Sequence, residues 1–247
     1  NRGRAQVRLN RKNIMPSKRY NKAQETQNGE ERRGLQAAIG VLAGFPKAKF
    51  DETVELSFRM GVDPKYSDQM VRGTVPLPHG SGQKIVVAAF VPDGAAADAA
   101  KAAGAEHVGF EELIKKVEGG WTGFDVAVAT PEAMKGGVAK LGRQLGPRGL
   151  MPNPKTGTVT DDLGKAVTAV KAGRVEFKVD KTANLHVVVG KASFSEDKLL
   201  DNSRAVVDAI IKARPDGFKG TYLQSCTISA TMSPGVKVDV KDLGKQD

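Results

Sequence analysis

The chain of 247 residues has one cysteine, Cys226, so no disulfide can form within it, a usage that fits a reducing compartment. No run of about 18 apolar residues occurs, so no stretch reads as a membrane-spanning helix. Neither phosphate-binding fingerprint of nucleotide enzymes is present. After the apolar run ending at Val91 stands Pro92-Asp93-Gly94 rather than Gly-x-Gly-x-x-Gly, and the glycine-rich 142–149 lacks Gly-Lys-Ser/Thr. His79, His107 and His186 have no metal-ligand spacing, and Cys226 has no Cys or His beside it. The acidic pairs Asp51-Glu52, Glu111-Glu112 and Asp161-Asp162 are adjacent in sequence, so their side chains do not converge and read as solvated surface. No catalytic residue, cofactor or metal is expected.

Acid is also missing from residues 1–22, which hold Arg2, Arg4, Arg8, Arg11, Lys12, Lys18, Arg19 and Lys22. These eight cations supply most of the formal net charge of +10, leaving +2 for the rest. The pattern is a basic arm on a nearly neutral body, and its first fourteen residues have no periodicity. Two readings stand side by side: an arm that orders on nucleic acid, or a solubilising or processing tail. An RNA surface on the body must rest on shape and residue type.

The densest feature is Leu141 to Val159, which packs Gly142, Gly146, Gly149 and Gly157 with Pro147, Pro152 and Pro154. Proline fixes φ and removes a donor, and glycine opens φ > 0, so no regular element is expected there. Arg143, Arg148 and Lys155 make the loop purely cationic, which suits a phosphate backbone.

Around this loop the texture changes twice. Leu35, Ala38, Ile39 and Leu42 have helical spacing before Gly44, predicting a helix over 34–43. Thr53 to Met60 alternates, with Val54, Leu56, Phe58 and Met60 on one face, and predicts a half-buried strand; Val71 to Leu77 is a second. From Lys84 the strands are continuously apolar, 84–91 and 125–130, and alternate with helices over 95–105, 111–117 and from Pro131. That is the signature of a parallel sheet covered on both faces. Alternation returns in Val175, Phe177 and Val179, in 185–189 and in 222–231, with 236–240 as a last strand. Between them Ser195 opens a helix that ends at Arg214-Pro215. The fold class expected is α/β in two domains. A split α+β outer domain (23–77 and 160–247), preceded by the arm of 1–22, carries an inserted doubly wound domain (78–159). The crossings near Pro78 and Val159 would act as a paired hinge.

In 222–231 one face carries Ser225, Thr227, Ser229 and Thr231. A solvated face is the ordinary reading, but short uncharged hydroxyls also suit close approach to ribose and phosphate. Phe50 lies outside any apolar periodicity and, if exposed, can stack on a base or sugar at about 1–3 kcal/mol.

The 141–159 run resembles the signature of the family of protein one of the large ribosomal subunit, the protein of the mobile stalk beside the tRNA exit site. The segments 48–55, 68–75, 77–80 and 230–232 fall where that family has them, and the likeness spans roughly Ser17 to Val240. It implies a structural, non-enzymatic ribosomal protein that binds large-subunit ribosomal RNA and assists release of deacylated tRNA from the exit site. Other ribosomal proteins and, as in bacterial relatives, its own messenger RNA would be further partners. The likeness carries RNA contact onto Lys49, Phe50, Thr231 and Met232, with Ser233 standing where the family commonly has glycine. It gives Glu55 the role of orienting basic groups or accepting from ribose, and it reads Asp180-Lys181, His186 and Gly190-Lys191 as a hairpin with basic tips. Rivals are a repressor of its own message and a nucleotide-binding enzyme using the loops after Val91 and Thr130. Because family-like text starts at Met15, an organellar source is expected in preference to a bacterial one.

Overall fold

The alternation of Val54, Leu56, Phe58 and Met60 makes β1 (Thr53–Met60), the best-buried strand of the larger sheet. It lies between β7 (Asn184–Lys191) and β8 (Leu223–Ala230), with β9 (Val236–Val238) beyond β8 and every pairing antiparallel. Helices α2 (Leu35–Ala43) and α8 (Glu196–Lys212) cover its apolar face with Ala38, Ile39, Val206 and Ile210. The other face is left to solvent. Ser195 has the extended N-cap conformation, but its hydroxyl makes no capping bond; the anionic first turn of Glu196 and Asp197 favours the helix start instead. The computed structural model describes residues 17–27, 31–92, 94–215 and 217–244. Most of the expected arm, 1–16, lies outside the described residues, but its last part does not. Ser17 caps α1 (Lys18–Thr26), and Ala23 joins the core of the outer domain. Residues 18–22 are therefore part of the folded body.

The inserted domain follows the other strand grammar. Strands β3 (Val87–Phe90), β4 (His107–Gly109) and β5 (Val126–Ala129) are parallel in the order β4-β3-β5. Both faces of β3 are consumed: Ala88 and Phe90 pack with α4 (Glu111–Glu118), Val87 and Ala89 with α3 (Ala95–Ala102) and α7 (Leu163–Lys171). β4 is too short for any periodic pattern to announce it. A helix α5 (Pro131–Gly136) follows β5, with the Thr130 hydroxyl accepting from Ala133 N–H. The glycine-proline run, where no regular element is expected, holds a 3-10 turn over Pro154–Thr156 and a short turn of helix, α6 (Gly142–Leu145). Gly146 extends this turn because a Cβ there would meet the Gly142 carbonyl at 2.5 Å, while Gly149 and Gly157 take φ of +73° and +67°.

The chain leaves and re-enters the outer domain along one antiparallel ribbon, β2 (Arg72–Pro76) against β6 (Arg174–Lys178). At its end Leu77 N–H points at the Gly173 carbonyl, 3.4 Å away. A Cβ on Gly173, whose φ is +99°, would lie 2.4 Å from Gly80 Cα, so the crossings touch only because no side chain stands between them. Two observations bear on the crossings expected near Pro78 and Val159. Pro78 is not the free point: Asn202, fully buried on α8, accepts from His79 N–H at 3.0 Å and donates to the Gly80 carbonyl at 3.0 Å, pinning 79–80 to the outer domain. Val159 is bridged to Ala129 at the edge of the parallel sheet, and α7 beyond it buries Leu163, Ala166, Val167 and Val170 against that sheet. α7 thus packs with the parallel sheet, because an apolar stripe of four residues cannot be left without a partner surface.

Candidate nucleic-acid interface

Register brings distant residues to one end of the larger sheet. Thr53, which opens β1, pairs with Lys191 at the end of β7, and Val54 pairs with Ala230 at the end of β8. The loop of 46–52, Lys191 and the turn of 231–234 therefore meet. Thr231 N–H donates to the Thr53 carbonyl at 3.0 Å, and its hydroxyl accepts from Thr53 N–H at 3.0 Å. Lys191 Nζ donates to Thr53 Oγ1 at 2.8 Å. Phe50 and Met232 are each 54% exposed there, beside an exposed Lys49. Two large apolar side chains held in water on a hydrogen-bonded frame are a stacking and packing surface, with cations beside them.

The hydroxyls predicted to face RNA divide into two groups. Thr231 already uses its hydroxyl on Thr53, and Ser233 Oγ accepts from Ala230 N–H at 2.9 Å while it donates back within the turn. Both close the turn, whose exposed residues are Thr231 and Met232. No positive φ occurs at Ser233, the one non-glycine case among the described residues being Ala183, so serine stands there without strain. Ser225, Thr227 and Ser229 do line the open face of β8, opposite Arg59, Ser57 and Glu55 of β1. Glu55 is half-buried there, and His186 Nδ1 lies 3.1 Å from Ser57 Oγ on the same face. Gly235 lets the exit of the turn fold onto this face, since a Cβ would meet Thr227 Cγ2 at 2.7 Å.

Asp180 and Lys181 are not brought to this end. They precede β7, whose eight residues run away from them over about 25 Å at 3.3 Å per residue. Nor do they tip a paired hairpin, because β6 pairs with β2 and β7 with β1. The Asp180 carboxylate accepts from the Asn184 and Thr182 N–H groups, both at 2.8 Å, and these bonds hold it below the usual carboxylate range. It shapes its own turn, and Lys181 is exposed beside it. Arg143 and Arg148 are exposed on the inserted domain, Arg148 donating to Thr122 Oγ1; the side chain of Lys155 lies outside the described residues.

Sequence reasoning missed the residues behind the surface. Glu52 was placed on solvated surface, yet it is 4% exposed; it accepts from Ala48 N–H at 3.0 Å and pairs with Arg19 at 3.0 Å. Counting back by twos from Val54 puts Glu52 on the buried face, a signal that was available. Asp51 accepts from Ser193 N–H at 3.0 Å and from its hydroxyl at 2.8 Å. Asp162 also has work, capping α7 through Lys165 N–H.

Elsewhere a crevice at the carboxyl ends of β3 and β4 is lined by Pro92, Val108, Gly109, Phe110, Glu111 and Glu112, so carboxylates face it. The order β4-β3-β5 puts the switch point, the usual ligand position of such a sheet, between β3 and β5 instead, at the loops after Val91 and Thr130. Burial pushes the Cys226 thiol up to about 12, so it is inert packing. Among the described residues no helix is long and apolar enough to cross a membrane, and no cluster of three or more His, Cys, Asp or Glu could hold a metal ion.

The fold and this surface define a binding protein that presents cations, hydroxyls and exposed apolar side chains from the open face and end of a sheet. Its affiliation is direct: residues 42–234 match the profile of the Ribosomal protein L1p/L10e family, and the chain belongs to that family. Similar proteins include the large ribosomal subunit protein uL1 of Cutibacterium acnes, 52% identical over 90% of this chain and 95% of its own length. That of Solidesulfovibrio magneticus is 55% identical over 85% and 89%, and that of Persephonella marina 52% over 90% and 93%. The chain is thus a structural, non-enzymatic, RNA-binding protein of the large ribosomal subunit, with ribosomal RNA and ribosomal proteins as its partners. These relatives are bacterial, so the expected organellar source finds no support in them.

Proposed function

We propose that the outer domain, 17–80 with 173–244, binds the RNA of the large subunit's mobile stalk through the sheet end at Thr53. The inserted domain, 81–172, swings about Gly80 and Gly173 and presents Arg143, Arg148 and Lys155 to exit-site tRNA, assisting its release. The observation that carries the reading is the exposure of Phe50 and Met232 at the one sheet end where Lys49 and Lys191 also stand, on a frame closed by hydrogen bonds. With Lys18, Arg19 and Lys22 counted in it the folded body carries +5 of the +10, so close, shape-matched contact adds to a modest charge attraction, with Ser225, Ser229, Glu55 and His186 extending the surface along the open face.

The test is binding of a bacterial large-subunit ribosomal RNA transcript. Phe50→Ala and Met232→Ala are each expected to lose about 1–3 kcal/mol of affinity at unchanged melting temperature. Arg143→Gln should leave this RNA affinity alone and weaken tRNA binding to ribosomes carrying the protein. Wild-type RNA affinity in both Phe50→Ala and Met232→Ala would remove the surface from consideration.

A further inference from the structure

Arg19 was counted with the arm, as one cation among eight. The structure puts it to a different use. From the first turn of α1 its Nη1 donates to the Pro46 carbonyl at 3.0 Å and to Glu52 Oε1 at 3.0 Å, and its Nη2 donates to the Met232 carbonyl at 2.9 Å. The partners lie 27, 33 and 213 residues away in sequence, in two different segments. Those segments, 46–52 and the turn of 231–234, are the ones that present Phe50 and Met232. The Glu52 side chain is 5% exposed, and the same oxygen that takes Arg19 also takes Ala48 N–H, on the residue before Lys49. One planar guanidinium thus ties the two halves of the surface together through a buried carboxylate. Only a forked donor can serve acceptors in those directions at once.

We infer that Arg19 and Glu52 are positioning residues for RNA binding: they hold the Phe50 loop and the Met232 turn at a fixed separation before RNA arrives, without touching RNA themselves. The inference rests on the surface proposed above. Its physical content is preorganisation: without the tie, each segment must be ordered at the moment of binding, at a cost in affinity. The Arg19 side chain is 27% exposed, and its charge is paired with the buried Glu52 carboxylate, so it releases no counterion on binding.

Three variants separate this role from its rivals, each assayed on the full-length protein with the large-subunit ribosomal RNA transcript, by titration to stoichiometry so that only the folded fraction counts. Arg19→Ala should weaken binding by about tenfold or more, and Arg19→Lys, which keeps the charge but not the fork, by nearly as much. Glu52→Gln removes an acid next to the surface; simple electrostatics makes it bind tighter, whereas positioning makes it bind several-fold weaker. The slope of log affinity against log salt should stay at the wild-type value in all three. A slope shallower by about one unit in Arg19→Ala would make Arg19 a phosphate contact and overturn the inference, as would tighter binding by Glu52→Gln or wild-type binding by Arg19→Lys. Met232→Ala serves as reference: if it binds weakly while the Arg19 variants bind normally, the positioning role fails and the surface stands. If all of them bind normally, the surface itself is misplaced.

Discussion

The two domains handle the same problem, a sheet in water, in opposite ways. In β1 burial alternates along the strand, one side chain into the core and the next outward, because helices cover a single face. In β3 all four residues are buried, because helices cover both. A sheet with one covered face keeps an open face and two strand ends for a partner, whereas a sheet covered twice has only its loops. The exposed polar residues divide accordingly. Ser225, Thr227 and Ser229 of the outer domain stand on a strand, while Arg143 of the inserted domain stands on the short helical turn α6 and Arg148 on the loop after it. In the function proposed above, the outer domain supplies a fixed fit and the inserted one reach.

The largest effect that could break this comparison is whether the outer domain survives alone. Excision of 81–172, joining Gly80 to Gly173, should leave a soluble domain with most of the RNA affinity. Excision of 79–158 should aggregate, because it strands the apolar stripe of α7. Equal behaviour of the two deletions, seen by gel filtration and RNA titration, would undo the assignment of α7 to the inserted domain.

Next come the cores. Phe58 and Phe90 are almost wholly buried, one in each domain, and substitution of either by Ala should cost about 3–5 kcal/mol. In calorimetry the two should lower different transitions, and only Phe58→Ala should carry RNA affinity down with it. Thr231→Val is smaller, about 0.5–1.5 kcal/mol of stability, since its hydroxyl serves Thr53 and water can replace part of that bond. Its RNA affinity should fall no further than Met232→Ala, the reverse of the order a direct RNA bond would produce.

The smallest effect is the share of the acid dependence that Glu106 gives the inserted domain. The hydrogen bond from Lys171 and then the one from Val87 N–H hold Glu106 below its ordinary value of 4.5. A carboxylate depressed in the folded state contributes stability above its unfolded pKa and loses it as pH falls through the folded one. Melting of the inserted domain should therefore decline below about pH 4.5, and Glu106→Gln should flatten that decline without altering the outer transition.

The sequence by itself determined which faces of the longer strands are buried, β4 excepted, because period-two and continuous apolar patterns are local and covalent spacing enforces them. It determined the two strand grammars and, through the run from Leu141 to Val159, the family. Tertiary structure alone decided where the crossings lie, since the stripe of Leu163, Ala166, Val167 and Val170 names a helix face but not the sheet it joins. It alone decided that Thr231 turns its hydroxyl inward and that Arg19 leaves the arm to tie Pro46, Glu52 and Met232 together. The reason is physical: antiparallel register brings positions 53, 191 and 231 to one sheet end, and register is settled by packing between segments far apart in the chain, which no local pattern of residues records.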